Sequence, residues 1–251
     1  MKLFRQLFYK IFGLQFYLSF VSRIYLLLVK NGFLKNKYPE LFFLKEIIKP
    51  GFYCIDIGAN LGYYSTFLSK YAGENGKVFA VEPVPLFQDV WSKNIRMSGF
   101  KNLQLFPVAL GAEDRPIQLT MPLVGGVIHH GMTKISGTSS EEVAEVFDAQ
   151  MRVADQLFIN LERLDFIKCD VEGYEFFVLG NMIKTLEKYK PLVQCELGGN
   201  ENRQKVINLF EGLGYKTLLL KNKQLILASD TDKQNWPNDF YFNYSKKIKN
   251  V

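Results

Sequence analysis

Cys54-Ile-Asp-Ile-Gly-Ala-Asn-Leu-Gly62, followed at Lys77-Val-Phe-Ala-Val81 by the acid Glu82, is the stretch on which the fold turns. Gly51 to Ile57 is a β-branched and aromatic run, so it reads as a buried parallel strand. It stops at Gly58, and Tyr63, Tyr64, Phe67, Leu68 and Tyr71 then recur at helical spacing. Gly58 and Gly62 carry no Cβ, so the backbone can bend sharply and a ligand can approach its amides. The next apolar run ends at Glu82, where a doubly wound sheet places the carboxylate that accepts hydrogen bonds from ribose hydroxyls.

The spacing separates cofactors. A dinucleotide site uses G-x-G-x-x-G and aims a helix N-terminus at a pyrophosphate. Here the pattern is G-x-x-x-G, preceded by Asp56. A carboxylate at a strand tip repels a diphosphate in a partly desolvated cleft and attracts a cation. S-adenosylmethionine, with its sulfonium, ammonium and ribose and no phosphate, fits that chemistry. The plainer reading is an ordinary strand-to-helix turn capped by Asn60. Glu82 in ribose register favours the ligand.

Working outward, a helix at Tyr38–Ile48 stops at Lys49-Pro50-Gly51. Helix 61–71, strand 77–82, helix 85–98 and strand 103–108 follow, with Pro85 suited to a first helical turn. Alternating Ile117, Leu119 and Met121 predict an antiparallel excursion. Residues 122–140, rich in Gly, Ser and Thr and holding His129 and His130, read as a mobile loop over the site. The alternation resumes with strand 164–169, a helix through Leu186, strand 191–196, helix 201–213 and a closing hairpin of 215–220 with 223–228. The expected fold is α/β, a doubly wound and mostly parallel seven-stranded sheet with a C-terminal antiparallel hairpin. Asp56, Glu82, Asp170 and Glu196 all fall at carboxyl ends of strands, where such sheets bind ligands.

The charge is uneven. Of the net +6, residues 1–50 carry nine Lys/Arg against Glu40 and Glu46, while the other 201 residues hold 22 bases and 23 acids. The body is neutral, which argues against a nucleic-acid substrate and its basic stripe. Two units are expected: an N-terminal amphipathic helical segment over 1–48 and one catalytic domain over 49–251. Residues 1–37 interleave Phe, Tyr, Leu and Ile with basic residues. They lack a small-residue cleavage site before Ala59, and Arg23 interrupts the uncharged run from Ile11 to Ser22. The segment therefore either packs on the domain or lies on an anionic membrane surface. Cys54, Cys169 and Cys195 sit in core strands without metal spacing, so no metal site is read and the setting is cytoplasmic, at most peripheral on the inner membrane face.

The motifs CIDIGANLGYYS (54–65), FAVEPVPxxxxxxxxNI (79–95), VALG (108–111), DFIKCDVEGYEFFVLGN (165–181) and PLVQCELGG (191–199) together resemble the FkbM family of S-adenosylmethionine-dependent methyltransferases. The likeness runs from about residue 52 to 200, and the segment IKCDVEGYE is its specific part. It implies a class I methyltransferase fold and O-methylation of a sugar, glycan, glycolipid or polyketide-like hydroxyl. It places cofactor contacts on Asp56, Gly58, Asn60, Gly62, Glu82, Ala109 and Asp170.

A sugar hydroxyl is a poor nucleophile near neutral pH and needs a base or a metal. The candidates are Asp170, Glu172 and Glu175 in the DVEGYE turn, Glu196, and His129 or His130. Glu172 alternatively caps a helix starting at Gly173, and Lys168 either pairs with a nearby acid or snorkels outward. Two readings of other classes stay open: a non-catalytic cofactor-binding scaffold held at a membrane, and a Rossmann oxidoreductase, which the missing G-x-G-x-x-G disfavours.

Overall fold

The computed structural model describes residues 11–124, 127–128, 134–135 and 143–244, with side chains over 11–121 and 145–244. Two helices, α1 (Leu14–Lys30) and α2 (Pro39–Ile47), precede the alternation of β1 (Tyr53–Ile57), α3 (Tyr63–Ala72), β2 (Lys77–Val81), α4 (Pro85–Ser98) and β3 (Leu103–Phe106). The chain then makes β4 (Ala109–Gly111), β5 (Arg115–Val124), β6 (Val127–Ile128), β7 (Lys134–Ile135) and β8 (Val143–Val153). After α5 (Ala154–Phe158) come β9 (Phe166–Cys169), α6 (Glu175–Gly180), α7 (Ile183–Tyr189), β10 (Leu192–Cys195) and α8 (Asn200–Gly212). β11 (Tyr215–Lys221), β12 (Gln224–Leu227), α9 (Asp230–Asn235) and β13 (Phe240–Tyr244) complete it.

The main sheet runs β12-β11-β13-β10-β9-β1-β2-β3. Its five strands from β10 to β3 are parallel, as the strand–helix alternation predicts. Both faces are covered. Ile55, Ile57, Phe79, Val81, Ile167 and Val193 pack with Phe158, Leu179 and Phe210, while the alternate residues Cys54, Val78 and Phe166 pack with Leu44, Phe67 and Leu68. That covering of both faces is why β1, β9 and most of β2 and β10 are buried at successive residues rather than at every second one.

Three expectations change. Phe240–Tyr244 is a further strand that the sequence reading left unassigned. It inserts antiparallel between β10 and β11, so the sheet holds eight strands and the β11–β12 hairpin lies at its edge. Its Phe240, Tyr241 and Phe242 are all buried, the mark of a central strand. Within residues 122–140, expected as a loop, the described parts are strands. β6 and β7 pair with β5, and β5 pairs along its length with β8 in a second, five-stranded sheet. His129 and His130 lie outside the described residues. The helix expected to run to Leu186 divides at Asn181, whose Nδ2 donates to the Phe177 carbonyl at 2.8 Å.

The N-terminal helices pack on the domain. α2 buries Leu41, Phe43, Leu44 and Ile47 against Cys54, Phe67 and Leu68, and α1 buries Val29 there and Leu18 against Leu61, Val84 and Phe87. The opposite side of α1 is exposed. Chemical denaturation should therefore show that Leu44→Ala costs about 2–4 kcal/mol. Leu27→Ala, on the exposed side, should change stability by no more than about 0.5 kcal/mol. Equal effects would place α2 outside the cooperative core.

Candidate cofactor and acceptor site

The turn after β1 is built from close backbone approach. Gly58 has φ +79°, and its N–H and that of Ala59 both donate to the Val81 carbonyl at 3.0 Å. A Cβ at Gly58 would stand 1.8 Å from the Asp170 carbonyl oxygen, so only glycine lets the β9 tip sit against this turn. Asn60 takes the left-handed conformation (φ 47°), and Gly62 (φ +88°) precedes α3 with the Trp91 ring against it. Asn60 makes no side-chain cap to α3, whose N-cap is Gly62.

Three acids stand one step beyond their strands, each with its N–H still in the ladder. Glu82 donates to Phe106 at 3.2 Å, Asp170 to Ile57 at 3.0 Å and Glu196 to Cys169 at 3.1 Å. Their carboxyl groups therefore line the carboxyl edge of β2, β9 and β10. Glu82 is buried, and its two oxygens accept from Asn60 N–H at 2.8 Å and Val84 N–H at 2.9 Å. Each oxygen keeps a second lone pair for a ligand hydroxyl. Burial pushes the Glu82 carboxyl up to about 7 despite those two amides, and Asp56 adds to the rise.

Asp56 lies inside β1 rather than past it. It is fully buried, paired in register with Lys168, and accepts from the Ser65 hydroxyl at 2.5 Å, which in turn accepts from Trp91 Nε1 at 2.9 Å. Burial raises it to about 6, against the pull of Ser65 and Lys168. It pins α3 and α4 to the sheet beneath the turn. Ala109, the first residue of β4, pairs with Met151 where the chain leaves the main sheet.

The DVEGYE turn resolves the choice between its acids. The helix begins at Glu175, not at Gly173, and its N-cap Tyr174 has no side-chain cap, so Glu172 does not cap it. Glu175 is buried and holds the turn instead, its Oε1 accepting from the N–H groups of Val171 and Gly173, each at 3.0 Å. Glu172 is exposed in the left-handed conformation (φ 52°), a strained position for a residue with a Cβ. Glu196 opens to solvent. Its carboxyl is pushed up to about 8, mainly because the surrounding chain strips part of its hydration, and further because Asp170, Asp239 and Glu172 repel its charge.

Two residues matter more than the sequence reading indicated. Lys168 does not snorkel. Its ammonium is buried, 3.2 Å from Asp239 and 3.8 Å from Asp170, and lies over the Tyr64 ring. A lysine between Ile167 and Cys169 was the available signal. Asp239 went unnoticed because it stands just before the unassigned strand.

Residues 56–217 match the Methyltransferase FkbM domain. The chain belongs to that family. The fold is α/β with a large, half-parallel sheet, and the cofactor of this methyltransferase family is S-adenosylmethionine. Among curated proteins, the chain is similar to protein-L-isoaspartate O-methyltransferase of Methanococcoides burtonii, 36% identical over 56 residues covering 22% of this chain and 28% of that one. It is also similar to Methyltransferase 1 of Beauveria bassiana, 25% identical over 51% of this chain and 57% of that one. It thus spans about a quarter and just over half of these two relatives. Among solved structures it is similar to methyltransferase FkbM from Methylobacillus flagellatus, at 15% identity and a TM-score of 0.47 over 80% of this chain and 50% of that one. An S-adenosylmethionine-dependent O-methyltransferase from Thermotoga maritima stands at 13% and 0.47, over 82% and 65%.

The residues present fit that cofactor. Glu82 offers carboxylate lone pairs to a ribose, the glycine turn exposes backbone, and no phosphate-cradling glycine triplet is needed. Glu82 accepts hydroxyl protons best when ionised, so protonation below about pH 7 should weaken binding. Cofactor affinity, read by calorimetry, should rise from pH 6 and level off above pH 8, by up to about tenfold per pH unit below the carboxyl's pKa. Glu82→Gln should flatten that dependence and Glu82→Ala should cost about 1.5–3 kcal/mol. A pH-independent affinity unchanged in Glu82→Ala would remove this residue from the site.

Proposed function

We propose that this protein is an O-methyltransferase acting on a hydroxyl of a sugar, glycan or glycolipid, with Glu196 taking the acceptor proton. S-adenosylmethionine supplies an electrophilic methyl on a positively charged sulfur. The chain's own task is to align an acceptor oxygen and hold its proton. The observation that carries the assignment is the pair of carboxyl groups at neighbouring strand tips, Asp170 and Glu196, of which Glu196, pushed up to about 8, opens to solvent. Asp170 belongs to the cofactor side, through its place against Gly58. Glu172, exposed on the same turn, and His129 remain secondary candidates for the proton.

A polyhydroxylated acceptor is supported by a groove of about 660 Å³ that begins at Pro83, next to Glu82. It is lined by Gln88, Arg115, Gln118, Asp148 and Gln150, side chains that hydrogen-bond hydroxyl arrays. Methyl transfer under saturating cofactor should rise with pH through about 8, since the base works deprotonated. Glu196→Gln should lower turnover roughly 10²–10⁴-fold with the cofactor still bound, while Glu172→Gln should leave it nearly intact. The reverse pattern would move the base to Glu172, and loss in neither would move the search to His129 and His130.

Peripheral membrane contact through residues 1–37 belongs to the same reading. Val21, Ile24, Leu27, Leu28 and Phe33 are exposed, Phe33 to 74%. Residues 1–39 hold seven Lys/Arg and no acid, which matches an anionic leaflet. Among the described residues no helix is long and apolar enough to cross a membrane. The protein should co-sediment with vesicles containing phosphatidylserine, less so at high salt, and the double variant Leu27→Asp, Phe33→Asp should not. Binding unaffected by both salt and substitution would rule this surface out.

A further inference from the structure

One row of side chains crosses the main sheet on the face covered by α2 and α3. Asp56 pairs in register with Lys168, Lys168 with Gln194, and Gln194 with Tyr241, on β1, β9, β10 and β13. Directly below this row the same face is apolar: Cys54, Phe166, and beside them Phe67 and Leu68. A lysine here is costly, because removing an ammonium from water costs several kcal/mol unless it is paired. A methionine or leucine would fill the volume without that penalty. Part of the cost is offset by ion pairing with Asp239 at 3.2 Å and Asp170 at 3.8 Å and by the Tyr64 ring beneath, although the ammonium makes no hydrogen bond among the described residues. Asp239 is itself fixed, accepting from Gln194 Nε2 at 2.7 Å, and Gln194 Nε2 also donates to the Tyr64 hydroxyl at 3.1 Å.

We propose that Lys168 and Asp239 are positioning residues for methyl transfer: the buried ammonium, paired with Asp239, holds Asp170 in place at the β9 tip, and the pair sets the charge environment of Glu196, which lies two residues beyond Gln194 on the same face of the sheet. The inference rests on the assignment of Glu196 as the proton acceptor and adds the pair that tunes it.

The surrounding charges all belong to this argument. Asp56 comes from β1, Glu40 from α2, Tyr64 from α3, Asp170 and Glu172 from the β9 tip and its turn, Glu196 from the β10 tip, Asp239 from the residue before β13 and Tyr241 from β13. Lys168 is the cation they share. Burial alone would drive its proton off, but Asp239, Asp170 and Glu196 hold it on, so it stays charged through the neutral range. Toward Glu196 the pair acts in opposite senses, Lys168 favouring the carboxylate and Asp239 opposing it.

The test is the pH dependence of turnover at saturating S-adenosylmethionine and acceptor, with thermal melts of each variant. Lys168→Met should move the rising limb to higher pH by about one unit or more, and Asp239→Asn should move it to lower pH by about half a unit or more, the size and sign expected when one charge near a carboxyl is removed. Lys168→Arg, which keeps the charge, should leave the limb in place even if the rate falls. If Lys168→Met does not fold, Asp239→Asn must still shift the limb downward. Equal rate losses at every pH, with the limb fixed in both variants, would overturn the inference. Glu196→Gln separates the two claims: a limb that survives in that variant sinks Glu196 as the base, whereas opposite shifts in the Lys168 and Asp239 variants bear only on the pair.

Discussion

The approach of Gly58 to the Asp170 carbonyl is the constraint on which the rest of the site depends. With no room for a Cβ between them, the end of β1 and the end of β9 come to the same height, and the glycine turn and the DVEGYE turn share one edge. The ladder then continues outward to Glu82 on one side and Glu196 on the other, each through a single backbone hydrogen bond to the neighbouring strand. The line of carboxyl groups is thus a consequence of strand register. A slip of one residue in any of these strands would turn the acid toward the opposite face of the sheet.

That line carries charge in an apolar setting, and the structure divides it by burial. Asp56 and Glu82 are buried and raised toward neutrality, Glu175 is spent on two backbone amides, and Lys168 is enclosed by Asp170 and Asp239. Glu196 is exposed and Asp170 partly so. These acids therefore differ by environment: Glu175 and Asp56 are buried anchors, Glu82 is a buried carboxyl bonded to the amides of the glycine turn and of Val84, and Glu196 is an exposed carboxyl pushed up to about 8. Neighbours and hydration make that division, and residue type alone does not.

The parallel half of the sheet was legible because its signals are local. Apolar runs ending in glycine or an acid, with helical spacing between, locate β1, β2, β9 and β10 and put Glu82, Asp170 and Glu196 at their tips. What was not legible depends on partners far away in sequence. β13 is five residues behind a polar stretch, and only its place between β10 and β11 shows it to be a core strand. β8 carries an apolar/polar alternation from Phe147 to Val153 that went unassigned, and its pairing with β5 shows it to be a strand. Glu172 looked like a cap because glycine often marks a helix start, but the turn needs two further residues, and Glu175 takes the amides. Lys168 was ambiguous for the same reason: its partner Asp239 immediately precedes the strand that the pattern did not reveal.

The account's central claim is that the cofactor lies along this carboxyl edge, with its ribose at Glu82 and its amino-acid end toward Asp170. A crystal structure with S-adenosylhomocysteine tests it most directly. The account predicts both ribose hydroxyls within hydrogen-bond reach of the Glu82 carboxylate, about 2.6–3.2 Å, and the nucleoside passing over the turn between Gly58 and Gly62. A nucleoside seated elsewhere, with Glu82 contacting only Asn60 and Val84, would contradict it.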